Sequence, residues 1–132
     1  MIPQIYQPAR KKEIPFDKKT IEYYYNLYTN ESVREKKLQI LSRIDRGEFV
    51  INKYLIVLTQ NERNHLEFYD SAFVSQKVVD KQDLFVVGLA EGYGGAVQIV
   101  ETIVNEVLRM TGGTDIRTYL LDQQLEFEKR NG

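Results

Sequence analysis

An α+β fold is predicted for this chain of 132 residues, and three observations predict it. Residues 84–110 read as an apolar strand, a glycine-rich turn and a long apolar helix. Two more runs, 50–58 and 65–70, are β-branched or alternating and are separated by a polar turn, the signature of a β-hairpin. Residues 17–46 carry helical spacing and helix caps instead. The expected architecture is two N-terminal helices followed by a mainly antiparallel sheet of about four strands, a usual sheet size. The long helix lies across that sheet, and a split βαβ arrangement of the ferredoxin-like kind is the nearest general pattern. One domain is expected, divided into an arm (1–16), a helical pair (17–46), the sheet with its long helix (47–121) and a tail (122–132).

Each element has its own reason. Pro3, Pro8 and Pro15 all fall in the first fifteen residues and predict an extended arm, since proline also pushes its predecessor out of the helical region. Asp17 is a good N-cap, and Ile21, Tyr24, Tyr25 and Tyr28 recur at i, i+3, i+4 and i+7, which predicts a helix to about Thr29. Thr29 or Asn30 caps a second helix, with Val33, Ile40, Leu41 and Ile44 inward and Gly47 as its left-handed terminus. Val50–Leu58 has no helical period and reads as a strand. His65–Asp70 alternates, placing Leu66 and Phe68 opposite His65, Glu67 and Tyr69; a helical reading of 61–74 competes with it. Leu84–Ala90 is nearly continuous in apolar residues, so a central strand is expected.

The helix Ala96–Met110 leaves only Gln98, Thr102, Asn105 and Arg109 as a polar stripe. An apolar arc that wide requires two covers. The sheet supplies one; the N-terminal helices or a second subunit are expected to supply the other. Gly112-Gly113 ends the helix. Ile116, Thr118 and Leu120 then alternate and predict a fourth strand over 115–121, completing a βαβ unit; a helix starting at Thr114 is the alternative.

Composition bounds the function. There is no cysteine and one histidine, so disulfides and thiolate metal sites are excluded and no metal site is expected. The N-terminus lacks a basic region followed by an apolar run, and Gln98, Glu101, Asn105 and Glu106 interrupt the longest apolar stretch. A cytoplasmic protein with no membrane partner is expected. The formal charge is −1, with a basic first third on an acidic remainder.

Three constellations carry possible chemistry. The turn Gly92-Tyr93-Gly94-Gly95 opens a helix, where bare N–H groups and the helix dipole suit an anion. It is neither a dinucleotide fingerprint nor a P-loop, because Ala96 and Val97 stand where Lys-Ser/Thr would follow, and Glu91 repels a phosphate. A tight turn under close backbone packing explains the same glycines. The second constellation is a polar sheet face joining His65, Glu67 and Tyr69 to Asp115, Arg117 and Tyr119. There Arg117 could grip a carboxylate and His65 could act as acid or base. A solvated sheet face or a dimer contact is the plainer reading.

The third is the tyrosine run around Tyr24, Tyr25 and Tyr28, beside Lys18 and Lys19. Such residues can stack on single-stranded nucleic acid. They serve more often as core-edge or interface anchors, and the acidity of the chain argues against nucleic acid. No catalytic residue and no cofactor is assigned. The expected function is a small binding or assembly module working through protein–protein contacts, with a second copy or another protein as partner. Tyr24, Tyr25, Tyr28, Tyr69 and Tyr119 are its expected interface residues. The alternative is a binder of, or enzyme for, an anionic metabolite at Gly92–Gly95 or at the His65/Glu67/Arg117 face.

Overall fold

The computed structural model describes residues 21–58, 66–72 and 84–131. The expected arm, Asp17 as a cap and His65 lie outside these residues. The described part is α+β, a four-stranded mixed sheet with helices on both faces. In chain order it runs β1 (Ile21–Thr29), α1 (Glu31–Arg34), α2 (Lys37–Asp45), β2 (Lys53–Leu58), β3 (Leu66–Asp70), β4 (Leu84–Glu91), α3 (Tyr93–Thr111) and α4 (Ile116–Asn131). The sheet order is β1-β4-β2-β3. The β2–β3 hairpin and the central, apolar β4 stand as the sequence predicts.

Two elements differ. Residues 21–29 form a strand, parallel to β4, where a helix is expected. The register explains the misleading spacing. Tyr23 pairs with Val86 and Tyr28 with Gly88, so the ladder is interrupted between them and four residues of β1 lie opposite Val87 alone. A bulge of this kind breaks strict alternation. Tyr24, Tyr25 and Tyr28 consequently all pack on one side of the sheet, while Tyr23 and Leu27 pack on the other. Helical spacing and a bulged strand thus put the same three tyrosines on a common face.

Residues 116–131 form a helix where a strand over 115–121 is expected. Ile116 and Leu120 are its buried residues. Their separation of four satisfies both a strand of period two and one turn of helix. Asp115 decides the matter: its carboxylate accepts bonds from the Thr118 N–H at 3.0 Å and the Thr118 hydroxyl at 2.8 Å, an N-terminal cap. The βαβ unit over 84–121 therefore does not form, and the parallel pair is β1 with β4. The split βαβ pattern fails too, because its parallel strands flank another strand whereas these two are direct neighbours.

The core has two parts. On one side, α1 and α2 bring Val33, Ile40, Leu41 and Ile44 onto Tyr23, Leu55, Val57, Val86 and Leu89. On the other, α3 and α4 bring Ala96, Ile99, Ile103, Val107, Ile116 and Leu120 onto Tyr24, Ile56, Leu58, Val87 and Ala90. The second cover of α3 is α4, in place of the N-terminal helices or a second subunit. A left-handed residue is needed to fold α4 back, and Gly112 supplies it at φ 75° with its N–H on the Leu108 carbonyl at 2.8 Å. Among the described residues, no helix is long and apolar enough to cross a membrane.

Candidate functional site

β4 delivers the glycine turn to one end of the sheet. Glu91 closes the strand opposite Lys53 of β2, and Gly92 begins α3. Gly92 sits at φ 80°, ψ 153°, a region that side-chain-bearing residues avoid. The N-cap must therefore be glycine, and α3 has no side-chain cap. The first N–H groups of a helix lack intrahelical acceptors, so Tyr93, Gly94 and Gly95 present theirs at this end. The α3 macrodipole adds partial positive charge there.

The two following glycines have different reasons. A Cβ on Gly95 would lie 2.6 Å from the Asn30 amide nitrogen. Asn30 grips the end of β4 twice: its Nδ2 donates to the Glu91 carbonyl and its Oδ1 accepts from the Glu91 N–H, both at 3.2 Å. Gly95 is thus small so that Asn30 can reach the strand. A Cβ on Gly94 meets nothing within 4 Å, and its φ is not positive. No packing or backbone requirement explains glycine at that position.

The charges around the turn are settled within the fold. Lys53, its side chain mostly buried, donates to Glu91 at 2.9 Å. Lys53, with help from Ser32 and Lys36, holds the Glu91 carboxyl below its usual range. The repulsion expected between Glu91 and an anion is therefore offset at source. The Gly92 N–H donates to the Asn52 carbonyl at 2.9 Å, which ties this end to the segment before β2. Three large apolar side chains are exposed in the two segments so tied, Phe49 and Ile51 before β2 and Tyr93 in the first turn of α3. Ile51 is 72%, Tyr93 63% and Phe49 61% exposed, the most exposed in the apolar set together with Met110. One side of the Tyr93 ring meets Phe68 at 5.2 Å and Tyr54 at 6.1 Å, both edge-on.

The expected polar sheet face does not assemble. Tyr69 packs on the α1–α2 side, whereas Arg117 belongs to α4 on the opposite side of the sheet. A strand at 115–121 would have joined them; the helix separates them. On β3, Tyr69 donates a hydrogen bond to Glu67, and that bond pushes its phenol up to about 12. His65 lies outside the described residues.

Tyr24, Tyr25, Tyr28 and Tyr119, four of the five expected interface tyrosines, gather on one side of the sheet inside one chain. Tyr24 stacks on Tyr28 at 5.9 Å, and Tyr25 stacks on Phe127 of α4 at 4.5 Å. Tyr28 and Tyr119 both donate to the same oxygen of Glu106, at 2.6 and 2.9 Å. Burial, then the Glu106 bond, raises Tyr119 to about 12 and Tyr28 further. Burial also raises Tyr24. Gln124 adds a bond from the Tyr25 N–H at 2.8 Å, satisfying a backbone donor that the bulge turns away from β4. This cluster fastens α4 to β1 and α3.

Glu106, Lys53 and Gln124 were given no role from the sequence, and Asn30 was expected only as a helix cap. Asn30 carried a signal, as a residue of N-cap type, but its side chain serves β4 and makes no cap bond to α1. The other three are ordinary polar residues of amphipathic elements, and only tertiary placement distinguishes them. Compared with protein-family models, curated proteins and solved structures, the chain matches none.

Proposed function

We propose that this chain is a binding and assembly module that works through protein–protein contacts, with a second copy of itself as the first partner. The observation that carries this reading is the exposure of three large apolar side chains, Phe49 and Ile51 in the segment before β2 and Tyr93 in the first turn of α3. An apolar patch is complementary to its own image, so a two-fold pairing buries it on both copies at once. Burying apolar area contributes roughly 25 cal/mol per Å², and aromatic residues are favoured anchors at such contacts. Tyr24, Tyr25, Tyr28 and Tyr119 are not part of this proposal, because they are engaged within the chain.

The test is light scattering across micromolar concentrations on the unmodified chain and on Ile51→Asp. Self-association is expected for the first and its loss for the second. A strict monomer in both removes the assembly claim. Ile51 is mostly exposed, so its replacement leaves the core intact.

A second reading has its own observation, the unexplained Gly94. A glycine with open space at a helix start lets an anionic group approach the backbone N–H groups of Tyr93, Gly94 and Gly95. Thermal shift with nucleotides, sugar phosphates and carboxylates tests it, since a ligand of the folded state raises stability by mass action. Stabilisation that disappears in Gly94→Val supports the reading; no stabilisation by any of the three classes at millimolar concentration overturns it.

A further inference from the structure

We propose that the rings of Tyr54, Phe68 and Tyr93, with the carboxylate of Asp70, form a recess that binds an alkylated ammonium group. The three rings meet pairwise. Their centres lie 5.2 Å (Phe68–Tyr93), 6.0 Å (Tyr54–Phe68) and 6.1 Å (Tyr54–Tyr93) apart, and their planes meet at 71°, 74° and 87°. Planes so steep at nearly equal spacing stand to one another as three walls that share a corner. For walls at this spacing the enclosed point lies about 4 Å from each ring centre, inside the reach of about 6 Å over which an aromatic face attracts a cation. Solvent reaches the group: Tyr93 is 63% exposed, and Tyr54 and Phe68 are half-buried.

The fold brings these residues to one place. β2 and β3 pair without interruption, with Tyr54 opposite Asp70 and Ile56 opposite Phe68. Residues directly opposite in an antiparallel pair share a face, and so do residues two apart on one strand. Tyr54, Phe68 and Asp70 therefore stand on one face at one end of the hairpin. Tyr93, in the first turn of α3, reaches both rings from across that face.

Charge selects the ligand. Asp70 brings negative charge to this corner, and among the described residues its carboxylate takes a single bond, from the Ala72 N–H at 3.0 Å. Lys53, next to Tyr54 in sequence, alternates to the other face and is paired with Glu91. The start of α3 adds partial positive charge, which Asp70 offsets. A compact ammonium is strongly hydrated, and ring faces return none of the hydrogen bonds it would give up. An alkylated ammonium spreads its charge over carbon, so the same rings meet both its charge and its apolar shell. Such a group comes from a free small molecule of the choline kind or from a methylated lysine side chain. The inference goes beyond the self-pairing proposed above and does not rest on it, although both use Tyr93.

The test is an NMR titration of the full chain with four ligands. They are choline, its uncharged isostere with tert-butyl in place of trimethylammonium, and one peptide carrying either lysine or trimethyllysine. Choline is expected to bind at least about tenfold more tightly than the isostere, with its N-methyl protons shifted upfield by the rings. Tyr93 is mostly exposed, so its replacement leaves the core intact. Tyr93→Leu is expected to weaken binding about tenfold and Tyr93→Trp to preserve it, since Trp is the strongest aromatic partner of a cation. Asp70→Asn keeps the acceptor for Ala72 and is expected to weaken binding up to about fivefold. Tighter binding of the trimethyllysine peptide than of choline assigns the group to a protein tail, and the reverse assigns it to a small molecule; either supports the recess. Equal binding of choline and its isostere, or full affinity in Tyr93→Leu, overturns the proposal. The titration is repeated on Ile51→Asp, which removes the self-pairing and keeps the two readings apart. No binding of choline or of the trimethyllysine peptide at millimolar concentration, in the parent and in Ile51→Asp, also overturns it.

Discussion

Adjacent glycines at the start of α3 should respond to alanine with opposite signs. In Gly95→Ala the new Cβ falls 2.6 Å from Asn30 Nδ2, so the Asn30 side chain must leave. Two hydrogen bonds to the Glu91 backbone go with it. At about 1 kcal/mol each, their loss costs about 2 kcal/mol. Replacing glycine by alanine in a helix returns about 0.5–1 kcal/mol. The net expectation is a loss of about 1–1.5 kcal/mol. Gly94→Ala meets open space, so only the favourable part remains, and a gain of about 0.5 kcal/mol is expected. Unfolding 132 residues carries an entropy of about 280 cal/mol/K, so 1 kcal/mol moves Tm by about 3–4 °C. Urea denaturation followed by circular dichroism measures both changes. The decisive arm is Asn30→Ala. In that background the obstacle is gone, and Gly95→Ala should turn from destabilising to stabilising. If Gly95→Ala is equally harmful with Asn30 absent, the argument from close approach is wrong.

Three further outcomes follow from the same geometry. Gly88→Ala should destabilise by about 1–3 kcal/mol in the same denaturation assay, because its Cβ would meet Ile99, Ile56 and the Tyr28 carbonyl at 3.1–3.2 Å in a central strand. Gln124→Ala should cost about 1–2 kcal/mol, since the Tyr25 N–H loses its acceptor, and should speed amide exchange across α4. Stability should fall as pH rises from the ordinary tyrosine value near 10 toward about 12, because Tyr119 and Tyr69 hold their protons more tightly folded than unfolded. Glu106→Gln should shrink the Tyr119 share of that fall, read by spectrophotometric titration; an unchanged titration would mean that the carboxylate does not hold the phenol.

Much of this fold was legible because its signals were redundant. β4 and α3 combined length, apolar content and bounding glycines, and β2–β3 combined β-branching with a polar turn. The failures came where one pattern satisfied two periods. Tyr24, Tyr25 and Tyr28 share a face in a helix by rotation and in β1 by a bulge. Ile116 and Leu120 share a face in either element, and it is the Asp115–Thr118 cap that separates the strand from the helix. The glycine turn was placed correctly as a helix start. Its environment was not, because Asn30 and Lys53 reach it from 61 and 38 residues away.

That residues 116–131 form a helix changes what the apolar face of α3 implies. A helix as apolar as α3 demands two covers, and a sequence that lacked the second would point to a partner. α4 answers that demand within the chain, with Ile116 and Leu120 in the core and the Tyr28–Glu106–Tyr119 bonds as its fastening. The tyrosines that advertised an interface are consumed in making the fold. What is left over is the set of exposed apolar side chains, Phe49, Ile51 and Tyr93 together with Leu108, Met110 and Leu121. Folding alone requires none of them to be apolar, since each could be polar without opening a cavity. A charged residue at Ile51 or Met110 should therefore leave stability within about 0.5 kcal/mol of the parent, as surface substitutions ordinarily do, while abolishing whatever contact that side chain makes. A large loss of stability at either position would place that residue in the core energetics and remove it from the functional account.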